Sequence, residues 1–283
     1  MTITGRARLA GVMGWPVAHS LSPVLHGHWL ETLGIDGAYV PLPVAPDDFA
    51  QVLAALPRMG FRGVNVTVPH KETALAAVDH ADAPARRVGA VNTIVVGDDG
   101  RLTGTNTDGF GFLENLKDGA PGWTAAAGPA VVLGAGGAAR AVVVALIDAG
   151  APEVRLVNRT RARAERIAAD LGGPVTVRDW DERAAALGGA NLLVNTTTLG
   201  MTGKAPLTMD LAALPGDALV NDIVYAPLET DLLAAARARG NAAVDGLGML
   251  LHQARPGFEA WFGQAPKVTA GLRDRVLARL GQD

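Results

Sequence analysis

Residues 131–142, Val131-Val132-Leu133-Gly134-Ala135-Gly136-Gly137-Ala138-Ala139-Arg140-Ala141-Val142, have the residue types and spacing of a dinucleotide turn. An apolar run of strand character meets a glycine turn, and a helix start made of small residues follows. Gly134 permits the tight turn, Gly136 lets backbone approach a pyrophosphate, and Ala139 takes the third small position of the GxGxx(G/A) pattern of dinucleotide sites. A helix opening at Gly137 and Ala138 would turn its unpaired N–H groups and positive dipole end toward the phosphates. About 20 residues further on, an NAD site would carry Asp or Glu for the ribose hydroxyls. This sequence has Asn158-Arg159-Thr160 there, with Arg161 and Arg163 close behind. A missing carboxylate beside clustered guanidinium groups suits a 2′-phosphate, which predicts NADP(H) over NAD.

A second set of polar groups lies in the first half of the chain. Ser20 and Ser22 stand two residues apart at a strand-to-helix junction, where hydroxyls and free N–H groups suit a small carboxylate. Ser22 before Pro23 is equally a good N-cap. Lys71 falls at a helix start, where the dipole disfavours a cation, an odd place for a merely solvated lysine; a surface lysine is the alternative. His70 reads as a packed or capping histidine. Asp108 is a candidate functional carboxylate or an N-cap, Asn92 a polar ligand or a sheet-edge residue, and Tyr225 a ligand or a packing residue. No compact His/Asp/Glu cluster argues for a metal, and the absence of cysteine removes thiolate sites and disulfides.

The elements that must position these groups follow from periodicity. Leu9–Met13 predicts a strand ended by Gly14-Trp15-Pro16, and Leu25, Trp29 and Leu33 predict a helix stopped by Gly34. Phe49, Val52, Leu53 and Leu56 predict a second helix closing near Gly60. Strict alternation in Val64-Asn65-Val66-Thr67-Val68 predicts a strand with the valines buried and Asn65 and Thr67 on the other face. Pro69 ends it, and Lys71 opens a short helix with Ala74, Leu75 and Val78 inward. Residues 89–96 predict a strand, Asp98-Asp99-Gly100 a hairpin turn, and residues 102–108 the partner strand, with a helix from Gly109. Residues 118–129, rich in Gly, Ala and Pro, predict a linker.

Beyond the linker, strand candidates recur at Val131–Leu133, Val154–Val157, Val175–Val177, Leu192–Val194, Leu219–Ile223 and Ala242–Val244. Helical spacing such as Ala164, Ile167, Ala168 and Leu171 lies between most of them, which predicts a doubly wound parallel sheet. Thr196 and Ile223 would then sit where the fourth and fifth strands end, at the carboxyl edge where such sheets bind ligands. Two further helices carry Leu250, Ala254, Phe258 and Trp261, with Gln253 bordering that face, and Leu272, Val276, Leu277 and Leu280.

Composition bounds the rest. A chain of 283 residues predicts two domains, and 19% charged residues with a net charge of −3 are ordinary for a globular enzyme and give no reason to expect nucleic acid or an anionic membrane. Gly11, Gly14 and Pro16 interrupt the only candidate leader, and no run approaches the ~18 apolar residues of a membrane span. The expectation is a cytoplasmic protein.

Taken together, the motifs resemble the shikimate dehydrogenase family over nearly the whole chain. The matching stretches are Gly14-x-Pro16 through Ser22-Pro23, Asn65 to Lys71, Gly89 to Thr93, Asn106-Thr107-Asp108-Gly109, Gly134 to Arg140, Asn158-Arg159-Thr160, Asp222 to Tyr225, and Asp245 to Leu250. The resemblance implies reversible NADPH-dependent reduction of 3-dehydroshikimate to shikimate, a step toward chorismate and the aromatic amino acids. It implies an α/β fold of two domains: a substrate domain of residues 1–107 plus 247–283, and a Rossmann-type NADP domain of 108–246, with the active site in the cleft. Lys71 and Asp108 would be the catalytic pair, and Ser20 and Ser22 would bind the substrate carboxylate. Asn65, Thr67, Asn92, Asp108 and Gln253 would hold its hydroxyls, with Tyr225 approaching from the nucleotide side. NADP would contact Gly134, Ala135, Gly136, Gly137, Ala138, Ala139, Asn158, Arg159, Thr160, Arg163, Thr196, Ile223, Gly246 and Met249. The family implies a monomer or homodimer with a small-molecule substrate. A quinate/shikimate enzyme of broader specificity and a non-catalytic NADP sensor are the alternatives; a sensor would not need Lys71 with Asp108.

Overall fold

The computed structural model describes residues 3–281. The chain forms two compact units, one of residues up to Thr107 together with those from Gln253 onward, the other Asp108–His252. The second boundary between the units falls inside the helix Leu247–Phe262.

The first unit runs β1 (Arg8–Gly14), α1 (Ser22–Thr32), β2 (Gly37–Pro43), α2 (Phe49–Ala55), β3 (Phe61–Val66), α3 (Lys71–Ala77), β4 (His80–Ala81), α4 (Ala83–Val88), β5 (Thr93–Val96) and β6 (Leu102–Thr105). Its sheet has the order β2-β1-β3-β5-β6-β4. β1 is parallel to β2 and β3, whereas β5 runs antiparallel to β3 and β6, the hairpin at Asp98-Asp99-Gly100 reversing the chain. Met13, Phe49, Leu53, Leu56, Val64, Val66, Ala74 and Ile94 pack on one face. On the other, the Trp261 indole donates to the carbonyl of Ile94 at 2.9 Å. Gly63 makes room for that ring, since a Cβ there would lie 2.2 Å from Trp261 Nε1.

The second unit runs α5 (Asp108–Gly119), β7 (Ala130–Leu133), α6 (Gly137–Asp148), β8 (Val154–Asn158), α7 (Arg161–Leu171), β9 (Val175–Asp179), β10 (Leu192–Asn195), β11 (Leu219–Asp222), α8 (Asp231–Ala238) and β12 (Ala243–Val244). These are followed by α9 (Leu247–Phe262) and α10 (Ala270–Leu280), the latter in the first unit and packed on α1. The sheet order is β12-β11-β10-β7-β8-β9 with every pair parallel, the doubly wound arrangement. Strand order reverses between β7 and β10, so the ligand crevice belongs at their carboxyl ends.

Local structure departs from the sequence expectation at several points. Ser22 is the first residue of α1 rather than its cap; the cap position is Leu21, and the Ser22 N–H donates to the Ser20 hydroxyl at 3.3 Å. Leu33 is exposed, because α1 ends at Thr32 and the core-facing positions are Leu25 and Trp29. β3 stops at Val66, and Val68, beyond the core, is 70% exposed. β5 begins only at Thr93, since Gly89 ends α4 in a left-handed conformation. β6 ends at Thr105, and Asp108 is the first residue of α5. Residues 118–119 continue α5, and a 3-10 turn at Ala125–Ala127 interrupts the linker.

Candidate functional site

In the second unit, β7 delivers the chain to Gly134, whose φ of +112° is one that side chains rarely adopt. A Cβ there would lie 2.6 Å from Thr196 Oγ1. That hydroxyl donates to the Leu133 carbonyl at 2.6 Å, and the Thr196 N–H donates to the same oxygen at 2.9 Å. Thr196 is therefore held against the turn with its proton committed. Gly136 is the N-cap of α6 and no side chain caps the helix. A Cβ on Gly136 or Gly137 would meet nothing within 4 Å, so the first turn opens on free space. Ala139 is fully buried against the sheet, letting helix and strand approach closely, while Ala135 and Ala138 are half-buried beside the turn.

At the end of β8, Asn158 Nδ2 donates to the Thr160 carbonyl at 2.9 Å and shapes the turn into α7. Thr160 occupies the N-cap without making a side-chain cap. Arg159 and Arg163 are exposed, and among the described residues neither forms an ion pair. Arg161 differs, being committed to Glu165 at 2.8 Å and Asp179 at 2.9 Å. An open helix N-terminus, a close-approach glycine turn and two uncommitted guanidinium groups fit the diphosphate and 2′-phosphate of NADP(H). On the far side of the switch point, a Cβ on Gly246 would lie 2.2 Å from the Ile223 carbonyl oxygen, so the two backbones press together. Tyr225 is half-buried, and burial pushes its hydroxyl pKa up. Met249 is 8% exposed and packs into the core with Phe112 and Val142.

In the first unit Asn65 and Asn92 share one hydrogen-bonded network with Tyr39, Thr93 and Thr107. The Tyr39 hydroxyl donates to Asn65 Oδ1 at 2.6 Å. Asn65 Nδ2 donates to the Asn92 carbonyl at 3.2 Å and to Thr93 Oγ1 at 3.1 Å. A main-chain carbonyl can only accept, which fixes the Asn65 amide and obliges Tyr39 to donate to it. Asn92 Oδ1 accepts the Thr107 N–H at 2.9 Å and the Thr107 hydroxyl at 3.1 Å.

Lys71, half-buried at the first position of α3, accepts the Val91 N–H on its carbonyl at 2.9 Å. His70 is the packed residue the sequence favours: it is buried, stacked on Phe49, with Nε2 2.8 Å from the Val44 carbonyl. Thr67 sits above Gly14, where a Cβ would lie 2.4 Å from its methyl group. Asp108 is buried, and Gln253 is half-buried on α9.

Sequence reasoning missed Tyr39, and it gave no role to Asn195, or to Asp222 beyond its place at the end of the fifth strand and in a matching stretch. Among the described residues, no group of three or more His, Asp or Glu could hold a metal, and no helix is long and apolar enough to cross a membrane.

Family models match in chain order: the shikimate dehydrogenase substrate binding domain over residues 12–94, shikimate / quinate 5-dehydrogenase over 124–201, and the shikimate 5′-dehydrogenase C-terminal domain over 246–273. The shikimate dehydrogenase (NADP(+)) of Paramagnetospirillum magneticum is 67% identical over 276 residues, covering 98% of this chain and 100% of its own. The crystal structure of shikimate 5-dehydrogenase from Thermus thermophilus in complex with NADP(H) and shikimate is 40% identical, with a TM-score of 0.85 over 96% of this chain and 99% of that one. A quinate dehydrogenase from Corynebacterium glutamicum in complex with NAD is 31% identical, with a TM-score of 0.89 over 96% of this chain and 99% of that one. With the glycine turn, the arginine pair and the serine, lysine and asparagine motifs all in place, the chain belongs to the shikimate dehydrogenase family.

Proposed function

We propose that Lys71 and Asp108 are the proton-transfer pair of this enzyme, which interconverts 3-dehydroshikimate and shikimate with NADP(H). One observation carries the assignment. The Lys71 carbonyl and the backbone and side chain of Thr107, the neighbour of Asp108, are bonded to the consecutive residues Val91 and Asn92. The backbone of Lys71 and that of Thr107, next to Asp108, are thus both anchored to the same two residues.

When bound, NADPH supplies the hydride that reaches the ketone carbon. Negative charge then builds on the ketone oxygen, and Lys71 donates a proton to it; in the reverse direction the same amine takes the alcohol proton. Acid–base help of this kind contributes about 10²- to 10⁴-fold. Asp108 orients Lys71 and accepts the neighbouring substrate hydroxyl. Ser20 and Ser22 hold the carboxylate, and Thr67, Asn92, Gln253 and Tyr225 hold the hydroxyls. Both Asn65 amide protons are engaged within the protein, so Asn65 acts by fixing Tyr39 and Asn92.

The first unit takes the substrate and the second the nucleotide. The turn Gly134 to Ala139 receives the pyrophosphate, and Asn158, Arg159, Thr160 and Arg163 receive the 2′-phosphate. Thr196, Ile223, Gly246 and Met249 border the nicotinamide end. The enzyme works in the cytoplasm as a monomer or homodimer, on the route to chorismate and the aromatic amino acids. Steady-state assays with shikimate and quinate, each with NADP and NAD, test the specificity. Shikimate with NADP should have the highest kcat/KM, and equal or better turnover of quinate with NAD would overturn it.

A further inference from the structure

Asn195 and Asp222 are the last residues of β10 and β11 and stand opposite each other in the ladder. Both are completely buried. Asn195 Nδ2 donates to Asp222 Oδ1 at 3.0 Å and to the Leu199 carbonyl at 3.1 Å, while its Oδ1 accepts the Thr197 N–H at 3.0 Å and the Thr197 hydroxyl at 2.7 Å. Asp222 Oδ1 also accepts the Val224 N–H at 3.0 Å, and Oδ2 accepts the Thr230 hydroxyl at 2.8 Å. Thr230 in turn caps α8 through the Leu233 N–H. The carboxylate has only neutral donors, and burial pushes its pKa up against their pull. A carboxyl group held this way is costly to bury, and its geometry has to repay that cost.

What the pair holds is the backbone of two loops, residues 196–201 after β10 and 223–230 after β11. The loops are also tied directly, the Thr202 N–H donating to the Ala226 carbonyl at 2.8 Å. In a doubly wound sheet the two halves of a dinucleotide lie on opposite sides of the switch point. The arginine pair at the end of β8 assigns the adenosine half to the β8 side, which leaves the β10 and β11 loops under the nicotinamide half.

We propose that Asp222, acting with Asn195, is a positioning residue for hydride transfer: it clamps both loops from beneath and so sets the height and tilt of the nicotinamide end. The inference rests on the NADP assignment made above. A misplacement of about 1 Å at a reacting centre can cost on the order of 10²-fold in rate. Substitution should therefore damage kcat and leave the adenosine end untouched.

The test compares Asp222→Ala, Asn195→Ala and Asp222→Asn with the unaltered enzyme. Calorimetry measures binding of NADP⁺ and of adenosine 2′,5′-bisphosphate, which carries the adenosine half alone, and kcat is measured with NADPH and with its deuterated form. Both alanine variants should keep the affinity for the bisphosphate within about twofold. They should lose most of the extra affinity that NADP⁺ has over it, show kcat lowered about 10- to 100-fold, and give a larger deuterium isotope effect. Asp222→Asn can accept from Val224 and Asn195 and donate to a rotated Thr230 hydroxyl, so it should retain kcat within about threefold. If the alanine variants do not fold, Thr197→Val, which removes the hydroxyl joining Asn195 Oδ1 to the Leu199 N–H, carries the same comparison.

Unchanged kcat, isotope effect and NADP⁺ margin in a folded Asp222→Ala would overturn the proposal. So would parallel loss of bisphosphate binding, or an Asp222→Asn as impaired as the alanine. Failure of the unaltered protein to bind the bisphosphate would instead refute the NADP assignment itself.

Discussion

The imidazole of His26 lies flat on the ring of Tyr39, centroids 3.9 Å apart and planes within 4° of parallel. Neither ring nitrogen makes a hydrogen bond of good geometry, and burial pulls the His26 pKa down to about 3 against a weaker upward pull from the Asn65 amide nearby. The ring is therefore a neutral aromatic plate under the hydroxyl that orients Asn65.

A pH dependence of stability follows. Above pH ~6.5 His26 is neutral whether the chain is folded or not. Below that, the unfolded chain takes up a proton that the folded protein refuses until about pH 3. Stability is lost as pH falls through this window, at about 1.4 kcal/mol per pH unit from this one group. His26→Phe keeps the stack and removes the proton, so urea unfolding of the variant between pH 7 and pH 5 should show a shallower loss by about that slope. An identical slope would contradict the assignment of the buried neutral ring.

The arginines after β8 are predicted to divide in role. Arg159→Ala should weaken NADP binding about 10- to 100-fold, as for loss of a charge-assisted contact of about 1.5–3 kcal/mol, while NAD binding changes little. Arg161→Ala should leave the NADP to NAD ratio unchanged, because its guanidinium already serves Glu165 and Asp179. Binding isotherms for both nucleotides decide this, and equal weakening of NADP and NAD in Arg159→Ala would count against 2′-phosphate recognition.

The glycines of the turn are predicted to fail differently. Gly134→Ala forces a side chain into a φ of +112° and onto Thr196 Oγ1, so it should cost about 1–3 kcal/mol of stability. Gly136→Ala meets open space at an ordinary φ of −97°, so its melting temperature should match that of the unaltered protein while its KM for NADPH rises. Thermal melts and NADPH titrations of the two variants separate the roles.

The second unit was legible in the sequence because most of its strands are short apolar runs closed by a turn, and parallel sheets bury both faces; the edge strand β9 is the exception. Gly134 to Ala139 and Asn158 to Arg163 could be read because their chemistry is local, each group lying within one strand-to-helix turn. The first unit gave less. α4 has no apolar stripe, since Ala83–Val88 buries only Ala85 and Val88, and β4 is two residues long. The alternation through Val68 over-extended β3, because a pattern of valines does not reveal where the core above them ends. Ser22 read as a cap because its neighbour is proline, yet it lies inside the helix and its N–H goes to the Ser20 hydroxyl. The buried polar pairs, Tyr39 with Asn65 and Asn195 with Asp222, join residues 26 and 27 positions apart, beyond the reach of any local spacing rule.

If the amine of residue 71 moves the proton that accompanies hydride transfer, its removal slows the chemical step. Steady-state kinetics of Lys71→Ala with shikimate and NADP⁺ test it most directly. The expected outcome is a kcat lowered on the order of 10²- to 10⁴-fold with KM for shikimate changed only a few-fold, the pattern of a group acting mainly in the transition state. A folded variant whose kcat stays within about threefold of the unaltered enzyme, where general acid–base help is worth at least about 10², would contradict it.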